Sequence, residues 1–454
     1  MTEAVQQAQA PGTHPADMER PWPFVPFGAN LTVDRAEGPY LYTPEGQRIL
    51  DAAGGAVVGN IGYGRADVTE AMAAAVRRFG YVVPPFQTDS RLRLVERLRK
   101  SWLPAGLDRV HLNSGGSEAM EVALKLARQV HVARGEPQRR VVIGRDLSYH
   151  GATIMTLGVG GHAERRAGFE DWLPDWPKAP PHYCLRCPLG LSRPTCGTAC
   201  VDEIDRLIEE SGPRNVAAVI AEPVVGSSGG SFVPPDDYWP RLREICSRHG
   251  VLLIADEVMS GFGRTGAKFA VDHWNVVPDI LVGGKGMSGG YAPIAGVYAG
   301  EALAAALAET GQQLMYYTYG GHPAACAAAD AVLEIMERED MVARVAALEP
   351  RMEAALAPLR QHPNVAEVRG KGLLWSIEMV RDRDTLDRFP VEAGLSFKVV
   401  SEGLSRGVFF YPGGTKVHRD IVTLGPPFVV TEADIDLIGA VLRDSIDAAV
   451  AACG

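Results

Sequence analysis

The stretch HLNSGGSEAMEVALKLAR, residues 111–128, decides how the chain around it folds. It begins as the end of a short apolar run, which predicts a β-strand. A Ser-Gly-Gly turn follows, and glycine changes the chain direction at little steric cost. Beyond the turn, apolar residues recur at the three- and four-residue spacing of a helix, at Met120, Ala123, Leu124 and Ala127. The stretch therefore predicts a strand that passes through a glycine turn into a helix.

Short apolar runs alternate with helical stretches along much of the chain. The predicted strands are Arg109–Asn113, Arg140–Gly144, Val216–Ala221, Val251–Ala255 and Ile280–Gly283. Strands separated by helices are typical of an α/β fold with a mainly parallel sheet. We expect a large domain over residues 67–330 and a smaller C-terminal domain over residues 331–454. An N-terminal arm and hairpin, residues 1–66, are expected to join the smaller domain.

The composition is that of an ordinary globular protein. The 454 residues are 46% hydrophobic and 22% charged, and the net charge is −10. The sequence contains no basic stripe or polybasic block that would indicate a nucleic-acid or membrane partner. Residues 1–23 contain no apolar run of the kind found in signal peptides or membrane-spanning helices. The expected location is therefore the cytoplasm.

The glycine turn at the start of the predicted helix is a candidate anion site. A helix N-terminus presents unpaired backbone N–H groups and the positive end of the helix dipole, which suit a phosphate. Gly116 lies in the turn, and Ser117 is placed to cap the helix and also to donate its hydroxyl to an anion. The alternative is an ordinary connection between a strand and a helix. The stretch contains neither the dinucleotide fingerprint G-x-G-x-x-G nor a P-loop.

Three ionisable residues closely follow apolar runs that predict strands: Glu222, Asp256 and Lys285. Ligands of open α/β sheets bind at the carboxyl ends of the strands. A buried carboxylate or lysine needs a partner, and the small residues on both sides of Lys285 leave room for one. The alternatives are loop or helix-capping carboxylates, and a surface lysine in a glycine-rich turn.

Six stretches, in this order, resemble the class III, or omega, aminotransferases, which are pyridoxal 5′-phosphate (PLP) enzymes of fold type I. They are NSGGSEAMEVALKLAR (113–128), YHG (149–151), AEPVVGSSGG (221–230), LLIADEVMSGFGRTG (252–266), GKGMSGGYAPIAG (284–296) and TYGGHPAACAA (318–328). The resemblance covers nearly the whole chain after residue 30. It implies a large domain with a mainly parallel, seven-stranded sheet and a smaller α/β domain at the C-terminal end.

The resemblance implies the roles of the central residues. Lys285 stands where the family keeps the lysine that forms a Schiff base with PLP and then moves a proton as general base and acid. Asp256 matches the aspartate that keeps the pyridine nitrogen protonated, which makes the ring a better electron sink. Val258 and Tyr149 match the residues that lie against the two faces of the ring.

Further residues match the contacts of the family with the cofactor. Gly116 and Ser117 correspond to its phosphate-binding pair, and Glu222 to a glutamate near the cofactor. Thr318 matches a threonine that reaches the phosphate from the neighbouring subunit, which implies a homodimer or a higher homo-oligomer with shared active sites. Met259 stands where many members have a glutamine that meets the ring hydroxyl, so that hydrogen bond is missing or is made by another residue.

The expected substrates are an amine or ω-amino donor and a keto acid, with pyruvate as the expected acceptor. Thr423 stands where members specific for amino acids often carry an arginine that binds the α-carboxylate. The nearest cations, Lys416 and Arg419, belong to a predicted inserted loop, and Arg419 is expected to bind the keto-acid carboxylate unless the loop lies only at the surface. The family geometry would place three aromatic residues at the entrance of the site: Trp22, Phe24 and Phe86.

Other activities stay open at this point. AEPVVGSSGG resembles dialkylglycine decarboxylase, because Ser227 stands where many relatives have glutamate. A decarboxylating transaminase or an aminomutase is therefore an alternative. A carrier that uses the glycine turn to bind a nucleotide phosphate is a third hypothesis, which the absence of both nucleotide-binding motifs argues against.

Four cysteines have the spacing C-x2-C-x8-C-x3-C: Cys184, Cys187, Cys196 and Cys200. This spacing is compatible with zinc, with disulfides formed under oxidation or with simple packing. The resembling family requires no metal at this position, and we predict none.

Overall fold

The computed structural model describes residues 31–311, 316–415 and 418–453. Its strands are β1 (Arg35–Glu37), β2 (Tyr40–Tyr42), β3 (Arg48–Asp51), β4 (Arg109–Asn113), β5 (Val141–Arg145), β6 (Lys178–Ala179), β7 (Val216–Ala221), β8 (Leu252–Glu257), β9 (Ile280–Gly283), β10 (Ala295–Ala299), β11 (Val365–Lys371), β12 (Leu374–Met379), β13 (Val408–Phe409), β14 (Tyr411–Thr415) and β15 (His418–Leu424).

Its helices are α1 (Gly54–Val57), α2 (Ala66–Phe79), α3 (Asp89–Arg97), α4 (Gly116–Ala133), α5 (Ile154–Val159), α6 (Ala163–Arg166), α7 (Ala199–Ser211), α8 (Tyr238–His249), α9 (Glu301–Glu309), α10 (Pro323–Arg338), α11 (Met341–Leu356), α12 (Leu395–Ser405) and α13 (Glu432–Ala451).

The central sheet contains seven strands in the order β4-β10-β9-β8-β7-β5-β6. The neighbours from β9 to β6 pair in parallel, whereas β10 runs antiparallel to both β4 and β9. The predicted α/β fold with a mainly parallel, seven-stranded sheet is therefore confirmed. Helices connect the parallel strands, because a parallel pair cannot be joined by a tight turn.

The strands at the centre of the sheet are continuous apolar runs because both faces of the sheet are covered. All residues of β7 and β8 are buried. Ile220 and Ile254 belong to the apolar cluster that includes α4, whereas Val219 and Leu253 belong to the cluster that includes α8. This alternation follows from the two-residue period of a strand.

β8 is longer at its carboxyl end than the sequence predicts. The ladder with β9 continues through Asp256 and Glu257, which pair with Val282 and Gly283. The backbone pairing of β8 therefore extends to Asp256 itself. β10, in contrast, lies outside the predicted strands, and it is the antiparallel member of this sheet.

Two four-stranded sheets accompany the central one, with the orders β1-β2-β3-β13 and β11-β12-β15-β14. β2 and β3 form an antiparallel hairpin. β3 then pairs in parallel with β13, so that Leu50 lies beside Val408. The hairpin near the N-terminus thus shares a sheet with a strand near the C-terminus. The domain boundaries at residues 66 and 330 stay predictions.

None of the helices within the described ranges has both the length and the apolar character needed to cross a membrane.

Candidate active site

A cavity of about 210 Å³ lies at the carboxyl edge of the central sheet. Glu222 follows β7 directly, Asp256 is near the end of β8, and Lys285 follows β9. Because these strands are parallel, their carboxyl ends bring the three side chains to one edge of the sheet. The residues that line the cavity are Gly116, Ser117, Tyr149, His150, Gly151, Glu222, Val224, Gly226, Ser227, Asp256, Val258, Met259 and Lys285.

The predicted cofactor-binding residues line this cavity, with the exception of Thr318. Thr318 is exposed, and its carbonyl oxygen accepts a hydrogen bond from the Tyr81 hydroxyl at 3.0 Å. The side chain of Phe86 is 67% exposed and is not part of the cavity wall. Trp22 and Phe24 lie outside the described residues.

Arg419 does not line the cavity either. It belongs to β15, and its Nη2 donates a hydrogen bond to the carbonyl oxygen of Phe389 at 2.7 Å. The segment that was expected to be an inserted loop is formed by the antiparallel pair β14 and β15. Lys416 lies outside the described residues. A contact between either cation and a substrate stays a prediction.

The N-terminus of α4 supplies hydrogen-bond donors at one end of the cavity. The N-cap residue is Gly115, which has no side-chain cap, so the predicted capping role of Ser117 is wrong. Ser117 already lies inside the first turn, and its Oγ accepts a hydrogen bond from the backbone N–H of Ala152 at 3.1 Å. A Cβ at Gly151, where φ is +135°, would lie 2.8 Å from this oxygen. The exposed helix N–H groups and the hydroxyl together suit a phosphate.

Asp256 is buried and both of its carboxylate oxygens have partners. Its Oδ2 accepts a hydrogen bond from His150 Nδ1 at 2.7 Å, and its Oδ1 accepts one from the backbone N–H of Val258 at 3.1 Å. An ionised carboxylate only accepts hydrogen bonds, so the proton in the bond between His150 and Asp256 belongs to Nδ1. His150 is also buried, and its Nε2 has no hydrogen-bond partner among the described residues.

The sequence analysis quoted His150 within the YHG stretch and gave it no role. The two partners are 106 positions apart in the chain, so no local pattern connects them. The one hint in the sequence is that His150 directly follows Tyr149, which is predicted to stack on the cofactor ring. The structure shows that His150 orients the carboxylate of Asp256.

Glu222 is buried beside Asp256, and burial raises the pKa of its carboxyl to about 7. Its Oε1 accepts a hydrogen bond from the backbone N–H of Gly226 at 3.2 Å, whereas its Oε2 has no partner in the described part of the chain. Arg145 fixes the backbone of Glu222, because its Nη2 donates a hydrogen bond to the carbonyl oxygen of that residue at 2.7 Å. One buried oxygen of Glu222 is thus available to a ligand.

Lys285 begins a single 3₁₀ turn, Lys285–Met287, directly after β9. Its φ of +41° lies in the left-handed region, which is uncommon and strained for a residue with a side chain. Burial lowers the pKa of its ammonium group to about 8, although the carboxylates of Asp256 and Glu222 act in the opposite direction. About a tenth of the amine is therefore uncharged at pH 7, far more than for an ordinary lysine, and a nucleophile or base requires the uncharged form.

The profile of the family described as "Aminotransferase class-III" matches residues 26–446. This chain belongs to the class III aminotransferases. The predicted family and the enzyme class are therefore confirmed.

This aminotransferase is similar to other aminotransferases over most of its length. It is 32% identical over 428 residues to a putrescine–pyruvate aminotransferase of Pseudomonas aeruginosa, with 94% of this chain and 92% of the relative covered. It is 33% identical over 424 residues to an uncharacterised aminotransferase of Bacillus subtilis, with 92% and 95% covered.

Solved structures of transaminases superpose closely on this one. An (S)-enantioselective omega-transaminase from Thermomicrobium roseum has a TM-score of 0.87 at 33% identity, covering 92% of this chain and 93% of that chain. An amine transaminase from an uncultivated Pseudomonas species, in a PLP-bound form, has a TM-score of 0.87 at 35% identity, covering 98% of this chain and 100% of that chain. The predicted fold type I is confirmed.

PLP is the cofactor of class III aminotransferases, as predicted, and the residues of this cavity fit it. The α4 end with Ser117 offers donors to a phosphate, and the oriented carboxylate of Asp256 offers an acceptor to a pyridinium N–H. Val258 and Tyr149 provide an aliphatic and an aromatic surface for a flat ring. Met259 also lies on the wall, so a thioether and no amide faces the cavity at this position.

The four cysteines of the predicted cluster come together around a separate, small cavity of about 20 Å³. All four are unbridged. Burial raises the pKa of the Cys184 thiol, and it raises that of Cys200 to about 11, which keeps these thiols protonated at neutral pH. Among the residues that the structure describes, no three histidine, cysteine or acidic side chains are arranged to hold a metal ion.

Proposed function

We propose that this class III aminotransferase transfers an amino group from an amine or ω-amino compound to a keto acid, with pyruvate as the acceptor. In this proposal Lys285 forms the Schiff base with PLP. The observation that carries it is the position of Lys285, whose buried amine lies in one cavity with the oriented carboxylate of Asp256 and the N-terminal end of α4.

We infer the following division of work among the residues of the cavity. The N–H groups at the start of α4, with Gly116 and Ser117, hold the phosphate. Asp256, oriented by His150, pairs with the pyridine nitrogen. Val258 and Tyr149 hold the ring between them. When bound in this way, PLP supplies an electron sink for the carbanion that transamination requires.

Lys285 would act as the proton carrier. An amine with a pKa near 8 is basic enough to take the proton from the substrate carbon that bears nitrogen, and acidic enough to release it again. The glycine that follows Lys285 is required by packing, because a Cβ at Gly286 would lie 2.2 Å from Asn60 Nδ2.

The walls near the reacting position support a donor without an α-carboxylate. Thr423, which occupies the position of the α-carboxylate arginine of other members, is buried in the sheet and hydrogen-bonded to Ser376 Oγ at 3.0 Å. The neighbouring walls carry the apolar side chains of Val224 and Met259. We propose that Arg419 exchanges its hydrogen bond with Phe389 for the keto-acid carboxylate in the second half-reaction.

The proposed enzyme is a homodimer, with Thr318 of each subunit completing the phosphate site of the other. The exposed position of Thr318, away from the cavity of its own chain, supports this arrangement. Sedimentation of the active enzyme tests it, because an active monomer contradicts the role of Thr318. The cytoplasmic location likewise stays a prediction.

The central test is the visible absorption band of the holoenzyme. We expect Lys285→Ala to abolish turnover and the band of lysine-bound PLP, while PLP still binds noncovalently. A variant that retains appreciable transamination contradicts the proposal. In single half-reactions of the native enzyme, terminal amines are expected to discharge the band faster than glutamate.

The decarboxylating alternative has a separate readout. Ser227, which gave rise to it, lies on the cavity wall. Release of carbon dioxide from an α,α-disubstituted amino acid would favour that activity over simple transamination.

A further inference from the structure

Two buried glutamates lie at the carboxyl ends of neighbouring strands, and they differ in how well their hydrogen bonds are satisfied. Glu257 ends β8, and its two carboxyl oxygens accept hydrogen bonds from the Ser260 hydroxyl and from the backbone N–H of Val271. Glu222 follows β7, and its Oε1 accepts the hydrogen bond from Gly226, whereas its Oε2 has no partner among the described residues. A buried polar atom without a partner is costly, so this oxygen marks a place where a ligand can supply the missing hydrogen bond.

The two glutamates also differ in what they face. Glu222 lines the active-site cavity, whereas Glu257 is not part of its wall. Burial raises the pKa of both carboxyls to about 7, so about half of each carboxyl is protonated at neutral pH. A protonated carboxyl has one O–H donor, which an ionised carboxylate lacks. Glu222 can therefore offer a hydrogen-bond donor to a molecule in the cavity.

The charged groups around Glu222 come from several elements. Besides burial, the carboxylate of Asp256 raises the pKa of Glu222, whereas His150 and Arg145 lower it. The ammonium group of Lys285 also interacts with this carboxyl. An oxygen of a ligand that carries negative charge would act in the same direction as Asp256 and would favour the protonated carboxyl further.

The covalent structure of PLP decides which of its atoms can meet Glu222. In the proposed arrangement Asp256 meets the pyridine nitrogen, Lys285 meets the carbon of the aldehyde, and the start of α4 meets the phosphate. The ring hydroxyl is next to the ring carbon that bears the aldehyde, on the side away from the phosphate arm. Of the wall residues that this arrangement leaves unassigned, Glu222 and Ser227 have side chains with an O–H donor.

The surroundings of these two donors favour Glu222. A Cβ at Gly226 would lie 2.8 Å from Met259 Sδ and 3.4 Å from Glu222 Oε1, so the thioether and the carboxyl border the same point. A thioether has no hydrogen to donate. Ser227 is only partly buried, so its hydroxyl can bond to water. The carboxyl of Glu222 is buried, and its unpaired oxygen depends on the ligand for a partner.

We propose that the protonated carboxyl of Glu222 donates a hydrogen bond to the oxygen of the cofactor's ring hydroxyl, and that this contact selects a cofactor that carries the hydroxyl. This inference rests on the proposed function, since it uses the orientation of PLP that Asp256 and Lys285 define there. It adds the role of Glu222, which is to recognise one oxygen of the ring through a proton that burial keeps on the carboxyl.

The experiment compares two ligands, pyridoxamine 5′-phosphate and its 3-deoxy analogue, which lacks the ring hydroxyl. Neither ligand has an aldehyde, so their binding to the full-length apo-protein does not depend on a Schiff base at Lys285. Isothermal titration calorimetry at pH 6.5 should show that the native protein binds the ligand with the hydroxyl about tenfold or more tightly than the analogue. Glu222→Met removes the donor and keeps the length of the side chain, so it should lose this preference. Glu222→Gln keeps a donor and should retain part of the preference.

A second variant and a matched control sharpen this test. In the Glu222→Met protein, the additional change Met259→Gln should restore part of the preference, because its amide N–H borders the same point as the lost carboxyl. Glu257→Gln is the control, since it replaces a buried carboxyl of similar pKa that is not part of the cavity wall. This control should distinguish the two ligands as the native protein does.

The pH dependence gives a readout that a purely structural role would not change. Below pH 7 Glu222 carries its proton before the ligand binds, whereas at higher pH the proton must be taken up on binding. The preference of the native protein for the hydroxyl should therefore decrease from pH 6 to pH 9. The amide of Glu222→Gln has no proton to lose in this range, so its preference should change less.

Three results would overturn the inference. An equal loss of affinity for both ligands in Glu222→Met would mean that Glu222 only shapes the cavity. A preference that disappears in Ser227→Ala but not in Glu222→Met would assign the contact to Ser227. A native protein that binds both ligands equally well would show that the wall does not recognise the ring hydroxyl. If Lys285→Ala retains transamination, the proposed function fails, while the comparison of the two ligands still decides the role of Glu222.

Discussion

The two sides of the active-site cavity are built in different ways. On the cofactor side, Asp256 and Glu222 are buried at the ends of parallel strands, and His150 and Arg145 hold them in place. On the outer side, the cations belong to surface elements. Arg165 lies over the Tyr149 ring, and Arg419 is hydrogen-bonded to a backbone carbonyl.

This difference decides how well each side tolerates substitution. A buried carboxylate that loses its partner costs several kcal/mol, so the cofactor side tolerates few changes. A substitution at an exposed position usually changes the free energy of unfolding by about 0.5 kcal/mol or less. Exposed residues of α6 can therefore be replaced without loss of the fold or of the cofactor site.

The largest expected effect on the cofactor side comes from removal of Asp256. Asp256→Ala should lower kcat by about 10²–10³, because the positive charge on the pyridine nitrogen loses its fixed counter-charge. Asp256→Asn should be similarly impaired, since it keeps the shape but not the charge. Steady-state kinetics with saturating PLP measures both. A near-native kcat in either variant would show that another group holds the ring nitrogen.

A smaller loss is expected from His150, which acts through Asp256 and is a positioning residue. His150→Phe removes the hydrogen bond to Oδ2 and should lower kcat by about tenfold to hundredfold, the usual range for a hydrogen bond to a charged group. The visible band of the bound cofactor should also titrate at a different pH than in the native enzyme. His150→Asn, which keeps a donor, is expected to recover part of both effects. An unchanged titration in His150→Phe would contradict the positioning role.

The pH dependence of cofactor attachment tests Lys285 on its own. Burial lowers the pKa of the folded-state amine to about 8, so the reactive free base is lost as the pH falls below that value. The rate at which PLP attaches to the apo-protein should increase by about tenfold from pH 6 to pH 7 and level off above pH 8. Stopped-flow absorbance measures this rate. A rate that keeps rising to pH 10 would indicate an ordinary, solvated lysine.

The smallest expected effect is a gain in stability from Glu222→Gln. Burial raises the pKa of Glu222 from its ordinary value of 4.5 to about 7 in the folded state. Between these two pH values the folded protein keeps a proton on this carboxyl, whereas the unfolded chain has released it. Ionised Glu222 therefore destabilises the fold at pH 8, and the glutamine should stabilise the apo-protein by on the order of 1–3 kcal/mol there.

The sign of this effect fixes its pH dependence. The advantage of Glu222→Gln should shrink as the pH falls from 7 toward 4.5, because the native carboxyl is then protonated in both states. Thermal unfolding of both apo-proteins at pH 8 and pH 5 measures it. A glutamine variant that is less stable at pH 8 would show that the ionised carboxylate has a favourable partner.

Much of the central sheet could be predicted from the sequence, because a strand that is covered on both faces is a continuous apolar run. The predicted bounds of β4, β7 and β9 agree with the structure. β10 was not predicted, since its residues Ala295–Ala299 include small side chains with a low propensity for β-strands. The end of β8 was placed too early because polar residues continue its ladder.

By itself, the sequence determined the α/β alternation, the glycine turn before α4, and the acidic residues and lysine at the carboxyl ends of β7, β8 and β9. These features are local, and local periodicity and turn chemistry report burial and chain direction directly. Only the tertiary structure decided that His150 orients Asp256, that the hydroxyl of Ser117 turns toward Ala152, and that Arg165 stacks on Tyr149. Such contacts depend on how separate loops converge above the sheet edge, because side chains from different segments compete there for the same space and hydrogen bonds, and no pattern along the chain records the outcome.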